Sequence, residues 1–237
     1  MKLSAPVFRL RRAARLLSRE RSIPLHRALD EIARREGFRS WSHLVSCSRT
    51  HSPAAAILER LSPGDMVLVG ARPRQGKTLL ALDLAVSAAR AGRPAFFFTL
   101  DWTEADVVGA IAAIGEDPKT LPDGFTLDTS DDICADTIVD RTGSAPAAPL
   151  VAIDYLQALD QRRTTPALAE QVATLKAYAR ASGATIVAIS QIDRSFDLRA
   201  DRLPGLADIR LPNPLDLALF DRTCFLSEGK IQFEAAA

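Results

Sequence analysis

The chain has 237 residues, of which 47% are hydrophobic and 25% are charged, and its formal net charge is +1. This length is enough for one full α/β core and a small appendage. No apolar stretch approaches the roughly 20 residues of a membrane span, and residues 1–23 lack the apolar core of a secretory signal. The three cysteines have no zinc-like pairing and an odd count for disulfides. We therefore predict a soluble, cytoplasmic protein with reduced thiols and no membrane partner.

Basic residues are concentrated at the amino end. Residues 1–52 hold twelve Lys or Arg against four acids, a balance of +8, whereas residues 53–237 carry −7. A compact basic segment attracts nucleic-acid phosphates, because neutralising them releases condensed counterions. The alternative is a solvated arginine face that docks onto the acidic remainder of the same chain. Under both interpretations, residues 1–52 are predicted to form a small, separate, all-helical domain.

Helical patterns fill this basic segment. LRRAARLLSRER places apolar residues at helical spacing, Pro24 can open a second helix that ends at Gly37, and FRSWSHLVSC predicts a third with Ser40 as N-cap. Such an arrangement is compatible with a helix-turn-helix DNA-binding domain and with any three-helix miniature domain. The stretch HSPAAA, residues 51–56, is predicted to be the linker.

Residues 66–78, MVLVGARPRQGKT, predict a strand, a phosphate loop and the start of a helix. Loop N–H groups and the positive end of a helix dipole both suit bound phosphate. Gly76 lets the backbone close on the phosphates, Lys77 supplies charge for the β and γ oxygens, and Thr78 can hold Mg²⁺. The strict pattern has Gly at the position of Ala71. The predicted nucleoside-triphosphate site consists of Ala71, Arg72, Pro73, Arg74, Gln75, Gly76, Lys77 and Thr78.

Strand and helix patterns alternate after this loop, as a parallel sheet with crossover helices requires. Strands are predicted at 94–100, 149–154 and 184–190 with a short one in FTLDTS, and helices at 103–115, in CADTIVDRTG, and in PALAEQVATLKAYARAS with Pro166 in its first turn. The chain closes with two predicted antiparallel strands joined by the turn Ser227-Glu228-Gly229. Residues 53–237 are therefore predicted to form an α/β domain with a mainly parallel central sheet flanked by helices.

Three polar residues follow predicted strands, where ligands bind in open α/β sheets. Asp154, after LVAI, is placed to hold Mg²⁺ directly or through water. Asp101, after FFFTL, is placed to polarise the attacking water, and its alternative role is to cap the next helix. Gln191, after VAIS, is placed to hydrogen-bond the γ-phosphate and relay its loss to the following loop.

Three stretches, ARPRQGKT, LVAIDYLQ and AISQIDRS, resemble in that order the ATPase domain of DnaB-type replicative helicases, a RecA-fold hexameric superfamily. The resemblance covers about residues 57–210. It implies a RecA-like P-loop NTPase fold, ATP and Mg²⁺ as cofactors, homo-oligomers or association with a larger helicase, and movement along single-stranded DNA. The residues that match family positions are Lys77, Thr78, Asp154 and Gln191. The resemblance implies that DNA contacts come from the loops after the Asp154 strand and the Gln191 strand. In this chain these loops carry Arg162, Arg163, Arg194 and Arg199.

The sequence also departs from this family. The family's catalytic carboxylate is Glu, and Asp101 is one methylene shorter, which shifts the geometry of water activation. The family has a basic finger near a late Lys-x-Arg that reaches the neighbouring subunit's ATP, whereas SEGKIQFEAAA offers only Lys230. The short basic segment replaces the family's amino-terminal collar domain. We therefore do not expect a full replicative helicase.

Three functional hypotheses follow. The favoured one is a DnaB-like ATPase that couples ATP binding and hydrolysis to single-stranded DNA binding or unwinding. The second is an ATP-responsive module that hydrolyses weakly or not at all and binds DNA or a larger helicase. The third is a relative of the clock or recombinase RecA-fold ATPases, against which the strings DYLQ and SQIDR argue.

Overall fold

The computed structural model describes residues 4–5, 7–50, 52–159, 165–196, 202–211 and 213–236. Within them, helices α1 to α8 span Val7–Glu20, Leu25–Arg35, Trp41–Thr50, Pro53–Leu58, Lys77–Arg90, Glu104–Ala113, Ala135–Gly143 and Leu168–Ser182. Strands β1 to β7 span Met66–Ala71, Ala95–Thr99, Phe125–Asp128, Leu150–Asp154, Thr185–Gln191, Arg222–Ser227 and Lys230–Ala235. Among these described helices, none has the length and apolar character needed to cross a membrane.

The seven strands form one sheet in the order β3-β2-β4-β5-β1-β6-β7. Every neighbouring pair is parallel except β6 and β7, which are antiparallel. Successive side chains of β1 point to opposite faces, so Val67 and Val69 pack in a cluster with α5 and α6, whereas Met66 and Leu68 pack in a cluster with α7 and α8. Helices thus cover both faces, and the predicted α/β class with a mainly parallel sheet is confirmed.

Gly70, near the end of β1, allows this strand to lie close to Phe225 and Ile209. A Cβ atom at this position would be 2.6 Å from the Phe225 ring and 3.0 Å from the Cδ1 atom of Ile209. Real Cβ atoms do not approach so closely, so a hydrogen is the only side chain that fits. The end of β1 is therefore packed tightly against β6.

Helices α1 to α3 enclose a separate hydrophobic cluster. Its buried members are Leu10, Ala14, Leu17, Ala28, Ile32, Ala33, Phe38 and Leu44. Gly37 follows α2 with a φ of 85°, and the Ser40 hydroxyl accepts a hydrogen bond from the His43 amide at 3.2 Å at the start of α3. The amino-terminal helices are therefore built around their own core, in agreement with the predicted all-α segment.

The predicted linker at 51–56 is wrong in part, because residues 53–58 form α4. The Ser52 hydroxyl accepts a hydrogen bond from the Ala55 amide at 3.0 Å, and Pro53 occupies the first turn. Ala54 and Ile57 are buried in the cluster that contains α5. Turn-forming residues here cap a helix of the α/β domain, and residue 51 lies outside the described residues.

A second correction concerns the start of α8. Ala167 has extended backbone angles, so the helix begins at Leu168 and Pro166 precedes it instead of lying in its first turn. The Pro166 carbonyl accepts a hydrogen bond from the buried side chain of Gln171 at 2.8 Å. This side-chain hydrogen bond, which depends on tertiary packing, fixes the backbone just before the helix.

Candidate nucleotide-binding site

The carboxyl ends of four adjacent strands bring the predicted site residues to one edge of the sheet. Strands β2, β4, β5 and β1 are consecutive neighbours. Asp101 follows β2, Asp154 ends β4, Gln191 ends β5, and the phosphate loop follows β1. Because parallel strands end at the same edge, these elements share the region where open α/β sheets bind ligands.

The phosphate loop makes a tight turn into α5. Gly76 is the N-cap of α5 with a φ of 89°, and Arg74 has a φ of 64°. A Cβ atom at Gly76 would meet nothing within 4 Å, so the requirement for glycine there is conformational. Ala71 is the last, fully buried residue of β1, so the loop proper starts at Arg72.

The carboxyl-terminal hairpin supports this loop. The β6–β7 turn contains Glu228 and Gly229, with φ angles of 49° and 79°, as in the tight turns that suit hairpins. The Glu228 amide donates a hydrogen bond to Oε1 of Gln75 at 2.8 Å. Gln75 is therefore held by the hairpin.

A cavity of about 750 Å³ opens beside the loop, within the size range of small-molecule sites. Its walls come from the phosphate loop, the start of α5, the residues that follow β2 and one face of α6. The lining residues are Pro73, Arg74, Gly76, Lys77, Thr78, Leu79, Asp101, Trp102, Asp106, Gly109, Ala110 and Ala113. The amino end of α5 contributes a positive dipole here, which favours an anionic ligand.

Asp154 interacts with Lys77 and Thr78 at the end of the phosphate loop and is only 4% exposed. Burial raises the pKa of this carboxyl to about 6, and the nearby Asp101 charge raises it as well. A hydrogen bond with the Thr78 side chain and the charge of Lys77 lower the pKa of Asp154 and partly offset the burial. The structure thus brings Lys77, Thr78, Asp101 and Asp154 together. Carboxylate and hydroxyl oxygens are suitable ligands for Mg²⁺, and a cation would stabilise the buried carboxylate.

The raised pKa of Asp154 predicts a pH-dependent gain in stability for Asp154→Asn. The folded chain binds this proton more tightly than the unfolded chain. Ionisation of Asp154 therefore does not lower the free energy of unfolding below about pH 4, lowers it increasingly from there, and has its full effect once the pH exceeds the folded-state pKa of about 6. At 1.36 kcal/mol per pKa unit, Asp154→Asn should raise the free energy of unfolding of the nucleotide-free protein by up to about 3 kcal/mol at pH 8. Urea denaturation at pH 4 and pH 8 measures this. An equal difference at both pH values contradicts the explanation.

Asp101 is exposed at the rim of the cavity. Its alternative role as a helix cap is filled by Thr103, whose hydroxyl accepts a hydrogen bond from the Asp106 amide at 3.3 Å. The Asp101 carboxylate is thus available to the cavity.

Gln191 lies beside the loop but lines a second cavity. In the β1–β5 register its partner is Ala71. The second cavity, of about 340 Å³, is lined by Tyr155, Gln157, Gln191, Arg194 and Arg210. The structure therefore places Gln191 in the lining of this second cavity, together with Arg194, one of the predicted DNA-contacting residues.

Gln157 is a polar residue that the sequence reasoning missed. Its side chain is 9% exposed, and its Nε2 atom donates hydrogen bonds to Oγ of Ser190 at 2.7 Å and to the Arg210 carbonyl at 2.8 Å. Its Oε1 atom is buried and has no partner among the described residues. The only sequence signal was a polar residue three positions after Asp154.

The predicted DNA-contacting arginines are described only in part. Arg194 is exposed and lines the smaller cavity together with Arg210. Arg162, Arg163 and Arg199 lie outside the described residues.

Residues 127–215 match the family model of the DnaB-like helicase C terminal domain. The chain is 28% identical over 183 residues to the replicative DNA helicase DnaB of Leifsonia xyli subsp. xyli, a match that covers 63% of this chain and 40% of the relative. It is also 28% identical over 200 residues to the DnaB of Pasteurella multocida, covering 68% of this chain and 42% of the relative. The chain thus spans about two fifths of the length of these relatives.

Two solved structures have a similar fold. One is an ATPase domain that superposes with a TM-score of 0.57 at 18% identity, covering 81% of this chain and 90% of that one. The other is the structure of a DnaB-like replicative helicase and its interactions with primase, which superposes with a TM-score of 0.59 at 16% identity and covers 95% of this chain and 73% of that one. The predicted resemblance to DnaB-type ATPase domains and their RecA-like fold is confirmed.

Proposed function

On the premise that the chain is similar to DnaB-type helicase ATPase domains, we propose that it binds and hydrolyses ATP and couples this nucleotide to the binding or unwinding of single-stranded DNA. The observation that carries the proposal is that Lys77, Thr78 and Asp101 line the cavity beside the phosphate loop and that all three interact with the buried Asp154. This set supplies a cation, a hydroxyl and two carboxylates at the amino end of a helix, which is the chemistry of phosphoryl transfer.

In this proposal each residue has a defined task. Backbone N–H groups of residues 72–78 and the Lys77 ammonium hold the β- and γ-phosphates. Thr78 and Asp154 would hold Mg²⁺, and the ion, when bound, would supply positive charge to the phosphate oxygens. The Asp101 carboxylate orients a water molecule for attack on the γ-phosphate and accepts its proton. Gln191 couples the γ-phosphate end to the smaller cavity.

A specific observation favours slow hydrolysis as the second candidate function. In the part of the chain that the structure describes, no hydrogen bond holds the exposed Asp101 carboxylate in one orientation. A general base that is not preorganised loses much of the advantage of proximity. The alternative function is therefore an ATP-responsive module that binds DNA or a larger helicase with little turnover.

The smaller cavity supports the DNA component of the proposal. Arg194 and Arg210 provide positive charge at its rim, and Gln157 and Gln191 provide polar groups inside it. Arginine contacts to phosphate position a nucleic acid without reading its sequence. The test is the anisotropy of a fluorescent single-stranded oligonucleotide titrated with the full chain and a non-hydrolysable ATP analogue. Saturable binding supports the proposal, and no binding up to the solubility limit contradicts it. Mass measurement under the same conditions tests assembly, which the proposal expects.

The arginines of α1 are proposed as a second contact for nucleic acid. Arg12, Arg15 and Arg19 are exposed at helical spacing, and they form no ion pair within the described ranges. The ion pairs Arg21–Glu31 and Arg35–Glu31 both lie inside the segment. Among the residues that the structure describes, Arg12, Arg15 and Arg19 therefore form no ion pair with the acidic part of the chain.

We expect Arg15→Glu/Arg19→Glu to weaken DNA binding and to make it less sensitive to salt. Each lost contact to single-stranded DNA lowers the slope of log affinity against log salt by about 0.7, so two contacts account for about 1.4. The matched control is Lys119→Glu/Arg180→Glu, which changes the net charge equally at exposed positions outside α1. If both double variants have the same slope, α1 has no specific role.

A further inference from the structure

Arg72 links the phosphate loop to the chain that follows β5. It is the first loop residue after β1, and its Nη1 atom donates a hydrogen bond to the Asp193 carbonyl at 2.9 Å and a longer one to the Phe196 carbonyl at 3.5 Å. We call residues 192–196 the post-β5 segment. One guanidinium thus reaches both ends of that segment.

The post-β5 segment is in turn hydrogen-bonded to residues 208–210, which include Arg210. Ile192 forms a β-bridge with Ile209, and the Asp193 amide donates a hydrogen bond to the Asp208 carbonyl at 2.7 Å. The Arg210 amide donates to the Gln191 carbonyl at 2.8 Å. Because these bonds are between backbone atoms, a shift of the segment displaces Arg194 and Arg210, the two cations of the smaller cavity.

Charge interactions also connect Arg72 with Arg210. The Asp193 carboxylate interacts with the charges of both Arg72 and Arg210. A positive side chain of the phosphate loop and a positive side chain of the smaller cavity therefore share one anionic neighbour. A change at either arginine alters the field at the other through Asp193.

The Arg72 guanidinium also has one N–H donor without an acceptor among the described residues. Its Nε atom is buried and has no partner among the described residues, and a buried donor without an acceptor destabilises the arrangement that holds it. The observed arrangement therefore leaves room for a second one in which Nε is paired. An element with two arrangements of similar free energy is what a ligand needs to shift a structure.

We propose that Arg72 is a positioning residue that transmits occupancy of the phosphate loop to the post-β5 segment, and through it to the smaller cavity. The inference rests on the proposed function, since it requires ATP at the loop and nucleic acid near Arg194 and Arg210. Phosphates held by the backbone N–H groups of residues 72–78 reorient the loop, and the Arg72 guanidinium carries the movement to the Asp193 and Phe196 carbonyls. By linkage, nucleic acid tightens ATP binding by the same factor by which ATP tightens nucleic-acid binding.

The test measures a coupling ratio in the full chain. The ratio is the dissociation constant of a single-stranded oligonucleotide without a non-hydrolysable ATP analogue divided by the constant at saturating analogue. For the wild type we expect a ratio of roughly 5 to 150, the usual range of coupling between sites. For Arg72→Ala, measured at saturating analogue for that variant, we expect the ratio to fall below about 2. The matched control Arg74→Ala removes a guanidinium of the same loop that forms no hydrogen bond or ion pair with the described residues of the post-β5 segment. It should keep the wild-type ratio, whatever its own affinity for the analogue.

Hydrogen exchange of the wild-type chain supplies a readout that does not depend on a variant's folding. The analogue should slow exchange of the amides of Asp193, Phe196 and Arg210, and unchanged exchange there overturns the inference. A wild-type ratio near 1, or a wild-type ratio retained in Arg72→Ala, also overturns it. If the wild-type chain does not bind the analogue at all, the proposed function itself has failed, so the two failures are distinct.

Discussion

Replacing Lys77 with alanine is expected to weaken ATP binding by about 100-fold. The ammonium group stands at the first turn of α5, lines the larger cavity and acts on the Asp154 carboxylate. A charge-assisted hydrogen bond to phosphate contributes about 1.5–3 kcal/mol, and the upper end of that range corresponds to two powers of ten in the dissociation constant. Titration of a fluorescent ATP analogue in the presence of Mg²⁺ measures the effect.

Lys119→Ala is the matched control for this prediction. Lys119 is exposed and lies outside the lining of the larger cavity, so its loss should leave the affinity for ATP unchanged within about twofold. Equal affinities in the Lys77→Ala variant and the wild type contradict the assignment of the phosphate loop.

Changes at Asp101 are expected to alter turnover in both directions. Asp101→Asn removes the proposed base and should lower the rate of ATP hydrolysis about 100-fold or more, because general-base catalysis contributes 10²–10⁴. Asp101→Glu restores the longer carboxylate that the DnaB-type resemblance implies, and we expect about a tenfold increase, since small misplacements of a catalytic group are costly. Single-turnover hydrolysis at saturating ATP measures the chemical step separately from binding.

Glu104→Gln serves as the control for the Asp101 variants. Glu104 is an exposed carboxylate in the first turn of α6 and is not part of the cavity lining. Its substitution should leave the single-turnover rate unchanged. Turnover in Asp101→Asn equal to that of the wild type rejects Asp101 as the base, and a lower rate in Asp101→Glu rejects the idea that length limits the reaction.

Much of the fold followed from local patterns in the sequence. Strands covered on both faces are continuous apolar runs, as in the stretch before Asp154, and such runs leave few alternatives to a buried parallel sheet. The turn into α5 was predictable because Gly76 adopts a left-handed conformation that glycine tolerates. The position of each strand-end residue then followed from the common edge of parallel strands.

The errors and omissions concern features that depend on distant residues. HSPAAA contains turn-forming residues whether it makes a linker or, as found, the start of α4, and only the burial of Ala54 and Ile57 decides between them. The tie between Arg72 and Asp193 joins residues 121 positions apart, and no local pattern signals it. Gln157 likewise gained its significance only from its contacts with Ser190 and Arg210.

The placement of Gln191 refines the prediction made for it. It ends β5 beside Ala71, as the strand pattern indicated, but its side chain lines the smaller cavity with Arg194 and Arg210. A link between nucleotide and nucleic acid therefore has two candidate carriers, the Gln191 side chain and the Arg72 guanidinium. The two can be tested separately, because the Arg72 guanidinium binds the backbone carbonyls of Asp193 and Phe196 and not the Gln191 side chain.

The most direct test of the proposed ATPase is the rate of phosphate release from Mg²⁺-ATP, measured with and without a single-stranded oligonucleotide. The proposal predicts a basal rate that the oligonucleotide increases severalfold, and the loss of both rates in Lys77→Ala. A rate that the oligonucleotide does not change, or one that persists in Lys77→Ala, contradicts the coupling of ATP hydrolysis to single-stranded DNA in this chain.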